Sequence, residues 1–175
     1  AELGVSLPID DGVEPSGPLA SSLDVAGRTL ANRFCVLPME GWDGTTSGGV
    51  TDEMTRRWQR FGESGAKLIL GGEAMAVRPD GRANPNQLIL NEENQADIAS
   101  LRDTLVAAHA GRYGSTDDLA IGFQLTHSGR FCRPNEKTKF EPRVAYRHPM
   151  LDAKFKVTSD DQIWTDDEIT ELVGS

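Results

Sequence analysis

The residues best placed to do chemistry are those that end apolar runs. Gly122-Phe123-Gln124-Leu125-Thr126-His127-Ser128-Gly129-Arg130 reads as a buried strand running straight into a polar turn. An amide such as Gln124 is costly to bury without partners. A ligand is a natural partner when such a residue sits at the carboxyl end of a parallel strand. Two earlier apolar runs hand over in the same way, the first into Pro38-Met39-Glu40-Gly41-Trp42 and the second into Gly71-Gly72-Glu73-Ala74. Glycine there either lets a ligand approach the backbone or simply makes a turn, and Gln124 could equally be tied to neighbouring backbone. His109, His127 and His148 have no metal-ligand spacing. His109 is expected at solvent near a helix end. No metal site is indicated, and no catalytic group can be named.

Each candidate stretch needs a strand beneath it and a helix to carry the chain back. Residues 1–20, rich in Gly, Pro and Asp, read as an irregular lead-in, and Leu23-Asp24-Val25 with Thr29-Leu30 as a small hairpin. The run Phe34–Met39 lacks alternation, as parallel strands covered on both faces do, and Pro38 marks its end. A helix is predicted over about Asp52–Gly62, with Thr51 as N-cap, Met54, Trp58 and Phe61 on one face and Gly65 just past the end. The second strand, Ala66–Leu70, should stop at Gly71-Gly72. A loop over Met75–Asn91 leads to a helix over about Glu92–Ala110, with Ile98, Leu101, Leu105 and Ala108 inward. Leu119–Phe123 is the third strand. A long loop with Pro134, Pro142 and Pro149 follows, then a capping box, Thr165 to Glu168, opening a last helix.

This alternation implies βαβ units and a parallel sheet. A (β/α)8 barrel takes about 250 residues, and this chain has 175. The expectation is an α/β fold, the N-terminal part of a TIM barrel over residues 21–175: about three βα units preceded by a small capping hairpin.

Composition narrows the function classes. With 38% apolar and 26% charged residues the chain belongs with globular proteins. No apolar run is long enough to span a membrane, and no signal peptide is visible. A net charge of -9 disfavours a phosphate-backbone partner such as nucleic acid. Cys35 and Cys132 suggest neither a disulfide framework nor a zinc site, in keeping with a cytoplasmic protein.

Taken together, the three strand ends resemble the Old Yellow Enzyme family of FMN-dependent, NAD(P)H-using oxidoreductases. Asn32-Arg33 with Pro38-Met39 is similar to that family's first strand, and Ser64–Leu70 with Glu73-Ala74 to its second. Gln124-Leu125-Thr126-His127-Ser128-Gly129-Arg130 is similar to its Gln-Leu-x-His-x-Gly-Arg signature. The resemblance implies that Pro38, Met39, Glu40, Ala74 and Gln124 contact FMN, with Gln124 on the flavin pyrimidine. It implies that Trp42 faces a small-molecule substrate and that His127 and Arg130 buttress the turn. Glu40 departs from the Thr or Cys common at its position. It is expected to turn outward or to pair with Arg33, Arg78 or Arg82. The activity implied is hydride transfer through flavin N5 to an electron-poor alkene. The alternatives are a same-family amine dehydrogenase or demethylase, and a non-catalytic half-barrel that associates with a partner or a second copy. The substrate-anchoring pair and the phosphate site of the family would lie past Ser175, so the piece alone is expected to be inactive.

Overall fold

A computed structural model describes residues 14–174. Most of the lead-in, residues 1–13, lies outside the described residues; its end forms a short 3-10 turn at Pro18–Ala20. The hairpin is present as β1 (Leu23–Val25) and β2 (Arg28–Leu30), paired antiparallel. Ala26 and Gly27 between them both take positive φ, 49° and 78°. That is the left-handed pair a tight two-residue hairpin turn requires.

The main sheet has three parallel strands in the order β3-β4-β5: Cys35–Val36, Leu68–Ala76 and Ala120–Thr126. Two helices return the chain, α1 (Asp52–Glu63) between β3 and β4, and α2 (Gln95–Tyr113) between β4 and β5. Thr51 caps α1 as expected, its hydroxyl accepting the Met54 N–H at 3.4 Å. Met54 and Trp58 of α1 meet Ile98, Leu101 and Leu105 of α2, and both helices lie on Ile69 and Met75 of β4. This apolar layer is the main core cluster. No helix among the described residues is long and apolar enough to cross a membrane.

The strand boundaries differ from the sequence reading in an informative way. The first strand shrinks to two residues, since Pro38 cannot donate to a ladder. The second does not stop at Gly71-Gly72 but runs on to Ala76. Leu70 pairs with Gly122 and Ala74 with Gln124, so β4 spends four residues where β5 spends two. The glycines make a bulge, not an end. The third strand likewise continues through Gln124, Leu125 and Thr126. Of the α2 residues expected to face inward, Ala108 is only half-buried and His109 is buried instead.

That correction has a clear cause. His109 Nδ1 is 3.0 Å from the Gly62 carbonyl and Nε2 is 2.9 Å from Lys67 Nζ, which in turn pairs with Asp118 at 2.8 Å. The ammonium can only donate, so Nε2 accepts and Nδ1–H donates to Gly62. Burial and the lysine both depress the basicity of the ring, which stays neutral.

The segment after β5 is not structureless. It holds a 3-10 turn at Gly129–Phe131, the short helix α3 (Leu151–Phe155), another 3-10 turn at Asp160–Gln162 and a bridge between Val144 and Ile163. The chain ends in α4 (Asp166–Gly174), opened by the expected capping box. The Glu168 carboxylate accepts the Thr165 N–H at 2.8 Å and the Thr165 hydroxyl accepts the Glu168 N–H at 3.2 Å.

The two helices touch most closely at Gly62. A Cβ there would stand 2.3 Å from the Leu105 carbonyl oxygen and 3.0 Å from the Ala108 methyl. Gly62→Ala gains up to about 1 kcal/mol of helix propensity but forces the helices apart, an overpacking cost of about 1–3 kcal/mol. The clash is with backbone, so the loss wins. We expect Gly62→Ala to lower the urea midpoint, while Gly111→Ala on α2, where the new methyl meets nothing within 4 Å, leaves it unchanged or raises it.

Candidate functional site

The bulge in β4 turns Glu73 inward, and this acid organises the strand ends. Glu73 is 1% exposed. One oxygen accepts the Gly41 N–H at 2.7 Å, and the other is ion-paired with Arg57 of α1. Arg57 also holds Asp43 with two parallel bonds, 2.8 and 3.1 Å. The guanidinium lies so close over Gly41 that a Cβ there would meet Nη1 at 2.0 Å. Burial pushes the Glu73 carboxyl up to about 7; the Gly41 N–H and Arg57 pull it down, while Asp43 and Glu40 push it further up.

Three of the residues singled out in the sequence lie side by side across the sheet. The Met39 carbonyl accepts the Ala74 N–H at 3.4 Å, and Ala74 is in register with Gln124. Met39 is 74% exposed, whereas Ala74 is buried and presents little surface of its own. Gln124 is exposed, not buried as its apolar neighbours suggested; the two helices pack on the Ile69 and Met75 side of the sheet. It stands two residues along β5 from Gly122, where a Cβ would contact Leu70, so Gln124 and Leu70 share the open face. Its side-chain amide makes no hydrogen bond among the described residues.

Glu40 and Trp42 belong to a neighbouring cleft of about 430 Å³, lined also by Ala83, Thr126, His127, Ser128, Phe131 and Arg133. Pro38, half-buried, does not line it. Glu40 pairs with none of Arg33, Arg78 or Arg82; it accepts the Trp42 indole N–H at 2.8 Å. Two residues of separation make that contact local, and the left-handed backbone of Trp42 (φ 54°) permits it. A bulky residue held at positive φ costs about 1–3 kcal/mol and is characteristic of sites that need a side chain aimed. The three arginines are engaged elsewhere or face away: Arg78 on Asp80 at 3.0 Å, Arg82 on backbone carbonyls, and Arg33 at the exposed start of β3.

Scaffolding residues that the sequence reading passed over hold these loops. Gln87 is fully buried: its amide donates to the Ala74 carbonyl and the Thr126 hydroxyl at 3.0 and 3.1 Å and accepts the Ala83 N–H at 2.7 Å. Arg82 donates to the carbonyls of Thr46, Pro79, Pro85 and Pro134. It thus ties the loops after all three strands. A polar residue just before the apolar Leu88-Ile89-Leu90 was the available signal for Gln87; nothing local marked Arg57 or Arg82. His127 and Arg130 do buttress the turn. His127 packs on Gly81 and edge-on to Trp164 with ring centroids 5.3 Å apart, and Arg130 reaches the Tyr146 carbonyl at 2.5 Å and Asp152 at 3.2 Å.

No family model and no curated protein matches the sequence. Solved structures do. The chain superposes on the Old Yellow Enzyme from Pichia sp. with a TM-score of 0.59 at 16% identity, over 89% of this chain and 40% of that one. For the Old Yellow Enzyme from Trypanosoma cruzi the TM-score is 0.55 at 20% identity, over 87% and 44%. Its fold is part of the Old Yellow Enzyme fold. A 2-naphthoyl-CoA reductase in complex with 2-naphthoyl-CoA is also similar, with a TM-score of 0.66 at 15% identity over 90% of this chain and 24% of that one. The chain therefore spans less than half the length of each of these Old Yellow Enzyme-like structures.

The raised Glu73 carboxyl makes stability depend on pH. The folded value, about 7, lies above the ordinary 4.5, so the folded state holds the proton more tightly. The stabilisation is complete below about pH 4.5 and is lost as pH rises through 7, for a total of about 3 kcal/mol. We expect Glu73→Gln to remove this slope. In urea titrations the stability difference between wild type and variant should shift by about that amount, in favour of the variant, between pH 4.5 and pH 8. An unchanged difference would contradict the assignment.

Proposed function

We propose that this chain forms one wall of an FMN site in a flavin-dependent oxidoreductase of the Old Yellow Enzyme type. The observation that carries the reading is Gln124, a side-chain amide on the open face of the sheet with no partner among the described residues. Such an amide offers two donors and an acceptor, which match the alternating N–H and carbonyl groups of a flavin pyrimidine. Beside it the exposed Met39 and the half-exposed Leu70 offer apolar surface to a flat ring. The residues fit the group. Pro38, Met39 and Ala74 would hold its ring and Gln124 its pyrimidine edge.

Bound FMN would supply hydride transfer between NAD(P)H and an organic acceptor, most simply an electron-poor alkene. The chain's own contribution is positional. The Glu73–Arg57–Asp43 network fixes the backbone of Met39 to Asp43, and Trp42 is aimed into the cleft where substrate would lie. Glu40 introduces a carboxylate beside the ring position, and negative charge there disfavours adding more to the ring on reduction. The free edges of β3 and β5 are where the remaining strands of a barrel would pair, and the β1–β2 hairpin would close its bottom.

Titrating the whole protein with FMN, followed by absorbance, tests the reading directly: a protein that takes up no FMN overturns it. Gln124→Ala should weaken FMN binding by about tenfold, the loss of one or two hydrogen bonds. Glu40→Gln should raise the midpoint potential of the bound flavin, by about 30 mV if the charge is worth about 1.4 kcal/mol in a two-electron couple.

A further inference from the structure

The cleft beside Gln124 holds a cation with no counter-ion among the described residues. Arg133 makes no hydrogen bond through its guanidinium and no ion pair among the described residues, and it lines the cleft. Its neighbours in the same segment differ: Arg130, Arg143 and Arg147 each reach a carboxylate, on Asp152, Glu168 and Asp160. Yet Arg133 is held in place. Its guanidinium carbon lies 4.3 Å from the Phe140 ring centroid, and its backbone N–H donates to the Arg82 carbonyl at 2.8 Å. A cation pinned by stacking and left without a counter-ion in a cleft is a vacancy for an anion.

Ser128 has the same polarity: its hydroxyl has no hydrogen-bond partner among the described residues. His127 turns no free donor to the cleft, since Nδ1 accepts the Gly129 N–H at 3.2 Å and Nε2 is buried. Glu40 is the single acidic side chain lining the cleft, and the Trp42 indole already engages it. The walls between these groups, Trp42, Ala83 and Phe131, are apolar. Donors on one side and flat apolar walls on the other describe a particular ligand. We propose that the cleft takes an aromatic or unsaturated carboxylic acid, its carboxylate bound by Arg133 and its planar body between Trp42 and Phe131. This rests on the flavin reading, for which it names the substrate class, but the binding it requires is independent of flavin.

Calorimetric titration of the whole protein with benzoate and with benzamide, of equal size and different charge, separates the contributions. Benzoate should bind at least about tenfold more tightly, and the preference should weaken as salt is raised. Arg133→Ala should erase it, Arg133→Gln should erase it while keeping the stem over Phe140, and Arg133→Lys should retain part. Equal binding of the two probes to the wild type overturns the proposal whatever the variants do. So does a benzoate preference that survives in a folded Arg133→Gln protein, as it would if Arg133 merely packs on Phe140. The same titrations run without FMN keep the two readings apart: a protein that prefers benzoate but takes up no FMN loses the flavin reading alone, and one that takes up FMN without preferring benzoate loses only this one.

Discussion

The buried acid of β4 is the constraint on which the site depends. A carboxylate in an apolar layer is costly unless its charge is paired and its oxygens are hydrogen-bonded. Glu73 draws in Arg57 from α1 and the Gly41 N–H from the loop after β3, which offset the cost of burial only in part and leave its carboxyl raised. Asp43 completes the arrangement on the far side of the guanidinium. One helix, one strand and one loop therefore have a single mutual placement. The exposed side chains of that loop, Met39 and Trp42, inherit their positions from a network they do not touch.

Much of the architecture was legible in the sequence because it rests on local rules. Thr51 before Asp52, the Met54–Trp58 spacing, the hairpin of Leu23–Val25 with Thr29-Leu30 and the Thr165–Glu168 box each act over a short stretch of chain, and each forms where expected. The misreadings have a common origin. Gly71-Gly72 is a stop signal by local propensity, but β5 pairs with β4 on both sides of the glycines and carries the strand through as a bulge. His109 reads as a surface residue at a helix end, but Lys67 and the Gly62 carbonyl, 42 and 47 residues away, give it partners in the interior. Glu40 is the reverse case: its partner is not a remote arginine but an indole two residues on.

The candidate site was legible only in part for the same reason. Its surface members announce themselves as polar or aromatic residues at strand ends. The residues that hold them, Gln87, Arg82 and Arg57, do so by bonds spanning up to 52 residues, mostly to backbone carbonyls and to one buried acid. No periodicity or spacing encodes a bond to a carbonyl, since every residue has one. Composition can show that an arginine exists but neither that it is buried nor which loops it ties.

The two ends of the sheet differ in how fully their polar side chains are paired. At the amino ends, Lys67 satisfies His109 and Asp118 and lies over the Tyr113 ring, 5.4 Å from its centroid. The Asn32 side chain likewise joins β3 to β4, donating to the Gly65 carbonyl and accepting from the Phe34 and Lys67 N–H groups. These groups have partners. At the carboxyl ends, Gln124, Ser128 and the Arg133 guanidinium have no hydrogen-bond partners among the described residues, although the loops around them are tightly bonded. Gln124 is exposed and the other two partly so, which leaves them to water at no cost to the fold. Groups on well-bonded loops that still face solvent can engage a ligand with little loss of freedom.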